Sequence, residues 1–410
     1  MNSRARGILR TVLRTPALTY RDLKLLGAAG VFDSIGFMGE NLVLGWLMLQ
    51  LTDSAFMVGA VLSVKMVPSL FLGLLAGTIA DMVDRLILMR VLNILLAGLA
   101  SGVGVLIFTD SLQIWHLFAL TPIGGAMGTL YMTLRQSYVY DIVGADHLMN
   151  GLAFVSIGMR AGGLIGSLSM GFILGAFGSD IAYLAIAISY IFSTGILLLI
   201  RSHSRSAASA GQHVWGNLKR FGIEMRRNST LTTLVVLTAM VEFVGFSSQV
   251  LMPSLAKDVL EVGPEGLGVM SAFRSVGGIV ALVIVGIVGD QRRKGLAYLI
   301  VLAVFGAALF LLGLASNFVV VIFVITIVSG MMAMSDIYSQ SIMQVVVPNE
   351  LRGRAMGAWV LATGTASLGN LQVGALASAF TIGIALGVNG VALIVLATLS
   401  LVFLPKLRRM

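Results

Sequence analysis

Cysteine is missing from all 410 residues. That excludes a disulfide framework, a thiolate metal site and a cysteine nucleophile, and it leaves the redox compartment unread. Proline is scarce at 7 residues, and charge is scarce at 11% where an ordinary soluble domain carries about a quarter. The four histidines (His116, His147, His203, His213) fall in or beside predicted connections, so no clustered metal site is expected. No G-x-x-x-x-G-K-[ST] cradle, no H-E-x-x-H pair and no plausibly placed G-x-S-x-G elbow occurs. Direct ATP use, zinc hydrolysis and serine hydrolysis all lose their usual signatures. No cofactor is expected, and no catalytic constellation marks an enzyme.

What is present is apolar: 58% of the residues are hydrophobic and the mean hydropathy is +0.98. A water-soluble fold cannot hide that much apolar surface. The 48 glycines suit helices packed through small side chains, because close backbone approach replaces the hydrophobic drive that lipid removes. About 20 apolar residues cross the hydrocarbon core. Twelve such runs can be drawn, near 24–51, 55–79, 86–109, 113–139, 148–177, 181–200, 230–256, 265–288, 295–315, 317–339, 353–380 and 382–404.

The net charge of +9 is a topology signal rather than a nucleic-acid signal. Basic residues gather where a positive-inside arrangement puts them: the Arg-bearing start, Arg85 and Arg90, the stretch 201–227, Arg292 to Lys294, Arg352 and Arg354, and the C-terminal tail. Lys257 alone falls outside. Attraction to membrane lipid headgroups is a secondary effect. The basic start precedes an apolar run without a small-residue cleavage site, so no removable signal peptide is expected.

The stretch 201–229 is the one long polar segment. It reads as a flexible link followed by a basic amphipathic helix, Val214 to Phe221, on the inner membrane face. The expected architecture is an all-α membrane protein of twelve transmembrane helices. It forms two pseudo-symmetric six-helix bundles with both termini cytoplasmic: residues 1–200, a linker at 201–229, and residues 230–410.

A shift of about 209 positions aligns the halves. It places Asp33-Ser-Ile-Gly36-Phe37 on Glu242-Phe-Val-Gly245-Phe246, Lys65 on Arg274, and Gly77-Thr-Ile-Ala-Asp81 on Gly286-Ile-Val-Gly-Asp290. An acid, a base and a turn pattern recurring at one offset point to parallel six-span repeats.

With these residues the chain resembles the major facilitator superfamily over nearly its full length. The superfamily's loop pattern of glycine, aspartate and basic residues stands here as Gly77, Asp81 and Arg85, and again as Gly286, Asp290, Arg292 and Arg293. Asp84 occupies a place where glycine is usual, and Leu86 a place where a second basic residue is common. The resemblance implies a cytoplasmic gate at these positions; an ordinary capped turn is the plainer alternative. The stretches Val347 to Arg354 and Val214 to Arg227 are similar to bacterial exporters of the enterobactin-exporter-like and drug-efflux kind.

Four acids (Asp33, Glu40, Glu242, Asp336) and four bases (Lys65, Arg135, Arg160, Arg274) fall inside predicted spans. Each costs several kcal/mol facing lipid alone, so each must face a partner or water. They are the candidate proton-coupling residues of a central cavity; static ion pairs between helices are the alternative. Lys65 can reach Asp33 or Glu40, and Glu242 can meet Arg274. The repeat offers Gln249 where Glu40 stands.

Arg135 resembles the arginine that proton-coupled members carry in their fourth span. Gly158 to Gly166 partly matches an antiporter pattern, with Gly163 in place of its proline, and it also reads as a packing seam. Phe37, Asn41, Phe246 and Gln249 are candidate substrate-lining residues, and the Met331, Met332, Met334 run adds polarisable surface or plain packing. The expected function is proton-coupled export of small organic molecules, drug-like, amphiphilic or siderophore-like, by a monomer in the cytoplasmic membrane. Its partners are the substrate, protons and lipid. Nutrient uptake, lipid flipping, and a membrane enzyme or receptor are the alternatives.

Overall fold

The computed structural model describes residues 19–82, 84–202, 229–288, 293–347 and 352–409, and every regular element among them is helical. Helices pair all their backbone groups internally, which a lipid setting demands. In chain order they are α1 (Arg21–Thr52), α2 (Ala55–Met82), α3 (Arg85–Phe108), α4 (Ile114–Leu198), α5 (Ser229–Val244), α6 (Gly263–Val288), α7 (Lys294–Leu314), α8 (Phe318–Val346), α9 (Arg352–Thr363), α10 (Ala366–Ala379), α11 (Ile382–Phe403) and the short α12 (Pro405–Arg409). Between α5 and α6 the chain tightens into a 3-10 stretch, Phe246–Leu251, and widens into a π turn, Leu255–Val259.

Helix α4 runs for 85 residues but is not one rod. Gly144 (φ 69°) and Gly178 (φ 90°) take a left-handed backbone that divides it into 114–143, 145–177 and 179–198. Glycine adopts that conformation without steric penalty. The three pieces cover the fourth, fifth and sixth apolar runs. The eleventh run, 353–380, divides into α9 and α10 around Gly364 and Thr365.

Eight segments among the described residues are long and apolar enough to cross a membrane. They are Arg85–Phe108, Ile114–Gly144, Asn150–Leu198, Thr230–Val259, Gly263–Val288, Lys294–Leu314, Phe318–Val346 and Ile382–Phe403. Their outer faces expose large apolar side chains such as Ile94, Phe172, Phe192, Phe323 and Phe403, as lipid-facing helices do.

The chain falls into two compact units, residues 1–43 with 71–211, and residues 44–70 with 212–410. In the first, α1 packs on the middle segment of α4 through glycines one turn apart. A Cβ on Gly158 would lie 2.9 Å from the Gly27 carbonyl oxygen, one on Gly162 would strike the Val31 carbonyl oxygen, and one on Gly166 would lie 2.7 Å from Ile35 Cα. Below this seam Leu23, Leu26, Met89, Leu134 and Tyr138 form a buried apolar core. In the second unit α7 and α11 meet at Gly306 and Gly390, and α6 meets α8 at Gly277 and Thr326.

Asp290, Arg292, the linker 203–228 and Pro348 to Leu351 lie outside the described residues. So does the arginine-bearing start before residue 19. Gly77 and Asp81 lie on α2, with their side chains outside the description.

Candidate functional site

In the first unit α1 and the first segment of α4 run antiparallel in close register. Asp33, Phe37, Glu40 and Asn41 lie at helical spacings that share a face of α1. Asp33 meets Tyr131, Phe37 lies over Gly128, and Glu40 lies against Gly124, successive turns of the opposing segment. A Cβ at Gly124 would sit 3.6 Å from Glu40 Oε1, and one at Gly128 would sit 3.8 Å from the Phe37 ring. The carboxylate and the aromatic ring therefore lie against the two glycines at contact distance.

Asp33 is buried at the centre of a polar cluster drawn from α1, α3 and two segments of α4. Its Oδ1 accepts a hydrogen bond from Asn93 Nδ2 at 2.8 Å, and its Oδ2 accepts one from the Tyr131 hydroxyl. The Asn93 amide also donates to Ser193 Oγ at 3.0 Å. Arg135, buried one turn beyond Tyr131, holds its guanidinium 5.7 Å from the Tyr131 ring centroid. A Cβ on Gly30 would lie 3.9 Å from Arg135 Nη1, so the guanidinium sits in van der Waals range of α1. The result is a carboxylate with two directed donors and a cation within electrostatic reach. Such a cluster can hold or release a proton while remaining hydrogen-bonded.

The end of α3 nearest the basic loop is built as a cap and an ion pair. Asp84 Oδ1 accepts from Leu86 N at 2.9 Å and Ile87 N at 3.0 Å, capping the helix. The residue where glycine was expected thus starts α3. Arg85 Nη1 lies 2.9 Å from both oxygens of Asp141, and that carboxylate is 2% exposed. Arg90 donates to the carbonyls of Leu197 and Ile200, closing the end of α4.

In the second unit Glu242 and Arg274 do not meet. Arg274 donates instead to Gln249 Oε1, on the 3-10 stretch, while Gln249 Nε2 lies 3.9 Å from Met332 Sδ. The 3-10 geometry follows from hydroxyls that compete for backbone: Ser247 and Ser248 donate to the carbonyls of Val244 and Gly245. Phe246 packs edge-on against buried Phe305, with centroids 6.2 Å apart. Glu242 and Lys65 are buried, whereas Asp336, on α8, is half-buried, as is Arg160 in the first unit. Gly286 is exposed, with nothing among the described residues within 4 Å of an added Cβ. No group of three His, Cys, Asp or Glu side chains fit for a metal exists among the described residues.

A family model described as the transmembrane secretion effector matches residues 17–410. The chain belongs to this family of the major facilitator superfamily. The staphyloferrin A transporter of Staphylococcus aureus (strain NCTC 8325 / PS 47) is 24% identical over 369 residues, 88% of this chain and 89% of that protein. YfiS of Bacillus subtilis (strain 168), an uncharacterized MFS-type transporter, is 24% identical over 355 residues, covering 82% of this chain and 81% of its own length. Among solved structures, the nucleoside transporter NupG superposes with a TM-score of 0.79 at 12% identity, covering 94% of this chain and 99% of NupG. A POT peptide transporter superposes at 0.76 and 14% identity, over 94% of this chain and 95% of its own. This secretion-effector chain is accordingly a multi-pass membrane transporter.

Asn93, Tyr131 and Ser193 escaped the reading of the secretion-effector sequence. A lone asparagine inside the apolar run 86–109, and a tyrosine one turn before Arg135, were the signals available. Ser193 carried none.

Proposed function

We propose that the chain exports small organic molecules of siderophore-like or drug-like character, driven by the proton gradient. In this reading twelve spans form two six-helix bundles, residues 1–200 and 230–410, joined by the 201–229 linker, with both termini cytoplasmic. The protein works as a monomer in the inner membrane. Asp33 or Glu40 gains and loses a proton in the cycle, with Arg135 and Lys65 governing which state is favoured. Phe37, Asn41, Phe246 and Gln249 line the substrate path, while Gly77, Asp81, Arg85, Gly286, Asp290 and Arg292 form the cytoplasmic gate.

The observation that carries this reading is the Asp33 cluster: a buried carboxylate held by Asn93 and Tyr131 with the Arg135 guanidinium nearby. Moving a cation toward or away from a buried carboxylate changes which protonation state is favoured. Any displacement of α4 against α1 therefore couples shape to proton occupancy. The siderophore-like character rests on the staphyloferrin A transporter among the relatives.

A deletion strain is screened for metabolites that accumulate inside the cell and for sensitivity to toxic compounds, and the compound found is then followed in proteoliposomes. Substrate-dependent change of internal pH is expected in the wild type and lost in Asp33→Asn or Glu40→Gln. Full gradient-driven transport in both variants refutes the coupling. Accumulation of the compound outside cells rather than inside refutes export.

A further inference from the structure

The offset that places Asp33 on Glu242 puts these two acids in opposite surroundings. In the second repeat Leu302 stands where Asn93 stands in the first, Val402 where Ser193 stands, and Gln344 where Arg135 stands. The amide that donates to Asp33, the hydroxyl that accepts from that amide, and the cluster's guanidinium are thus withdrawn. Glu242 is 4% exposed and has no hydrogen bond or ion pair among the described residues. Arg274, the base on the neighbouring α6, is engaged by Gln249. The charge acting on Glu242 is another acid, Asp336.

Oxygen atoms appear around Glu242 at positions that are apolar in the first repeat. Thr238, Tyr298, Ser335 and Asp336 replace Ala29, Met89, Ala126 and Met127. Thr238 lies one turn before Glu242 on α5, so both side chains share a face. Tyr298, on α7, is fully buried, and its hydroxyl neighbours Thr238 and Ser335 within electrostatic reach of both carboxylates. Yet among the described residues neither the Tyr298 hydroxyl nor Thr238 Oγ1 has a partner in good hydrogen-bond geometry, although these two hydroxyls and Ser335 adjoin one another. A threonine on a helix ordinarily bonds back to its own backbone, and a buried hydroxyl left unpaired costs about 1–3 kcal/mol. Two such hydroxyls beside an unpartnered carboxylate are oxygen lone pairs and negative charge lacking a positive centre.

We propose that Glu242, Thr238 and Tyr298, with Ser335 and Asp336, form a binding site for a small dehydrated alkali cation of sodium's size, enclosed by α5, α7 and α8. Hard cations take oxygen ligands, carboxylate and hydroxyl alike. A sodium ion neutralises Glu242 and satisfies both orphaned hydroxyls at once. The burial of Tyr298 and Thr238 favours a small ion over an organic ammonium group. The inference deepens the reading of the chain as an ion-coupled transporter, adding a second ion to the cycle at a place distinct from Asp33.

The test needs no transported substrate. Purified full-length protein in nanodiscs is unfolded thermally while sodium chloride replaces choline chloride at constant ionic strength and pH. A saturable rise in Tm with sodium is expected in the wild type and in Asp258→Asn, a control acid exposed in the same unit. Tyr298→Phe, which removes one oxygen and keeps the ring, weakens sodium binding by about tenfold or more. Glu242→Gln abolishes the rise. The inference is overturned if the wild type shows no sodium-dependent rise, or if Glu242→Gln and Tyr298→Phe both keep it at wild-type concentrations. It is also overturned if pH alone shifts Tm and Glu242→Gln removes that response, since the occupant is then a proton. Sodium binding in a protein that moves no solute leaves this site standing and defeats the transport proposal instead.

Discussion

Gly162→Ala tests how the first unit is held together. Gly158, Gly162 and Gly166 stack one turn apart against Gly27, Val31 and Ile35 of α1. A Cβ on Gly162 would strike the Val31 carbonyl oxygen and lie 2.9 Å from both the Ser34 Cβ and the Val31 carbonyl carbon. These atoms belong to the backbone or its first side-chain carbon, so none can swing aside, and α1 and α4 must separate. Overpacking of this kind costs about 1–3 kcal/mol, offset in part by the ~0.5–1 kcal/mol that alanine gains over glycine inside a helix. The net loss of up to about 2.5 kcal/mol lowers Tm by up to about 10 °C at the sensitivity of a domain this size.

Gly98→Ala is the comparison, because nothing among the described residues lies within 4 Å of its added Cβ; its Tm stays level or rises. Thermal unfolding followed by the fluorescence of the four tryptophans reads both variants. Equal Tm for the two, or a larger fall in Gly98→Ala, refutes the seam as the contact that fixes α1 on α4.

Three further perturbations follow from the ends of the helices. Asp84→Ala removes the α3 cap and lowers stability by about 1 kcal/mol, while Asp84→Gly loses only a few tenths; paired Tm measurements show the difference. Arg85→Met leaves the Asp141 carboxylate, 2% exposed, without its bidentate partner, and a broken buried pair costs about 3–5 kcal/mol. A marked fall in Tm and in monodisperse yield is expected, and an unchanged Tm counts against the pair. Lys257→Ala removes a 2.6 Å pair with Asp53 whose side chains are 34% and 82% exposed. The loss stays below about 1 kcal/mol and vanishes at high salt.

Apolar run length made the all-helical fold legible, because lipid imposes both a minimum length and internal backbone pairing. The charged residues were legible for the same reason: an acid in an apolar run stands out. Their partners were not. Asn93 and Ser193 reach Asp33 from α3 and the last part of α4, contacts that depend on helix rotation, which no spacing along the chain records. The expected meeting of Glu242 with Arg274 fails because the 3-10 stretch after Gly245 brings Gln249 to the guanidinium instead. Backbone irregularity of that kind comes from Ser247 and Ser248 hydroxyls bonding to carbonyls one turn back. The long α4 hid its breaks similarly, since Gly144 and Gly178 are two glycines among 48.

If Asp33 and Glu242 are repeat equivalents, as proposed, the acid is kept while its surroundings differ, and the difference predicts opposite responses to removing charge. Asp33→Asn keeps the shape but gives the Asn93 amide or the Tyr131 hydroxyl a donor to face in place of an acceptor. A buried donor so displaced costs about 1–3 kcal/mol, a fall in Tm of about 2–12 °C. Glu242→Gln disrupts no hydrogen bond among the described residues and removes one of two neighbouring acids from the core of its unit. In choline chloride, free of sodium, its Tm equals or exceeds that of the wild type. Measured side by side, a fall in Glu242→Gln as large as that in Asp33→Asn shows that Glu242 is held by its surroundings as Asp33 is, and the functional asymmetry between the two repeats is then lost.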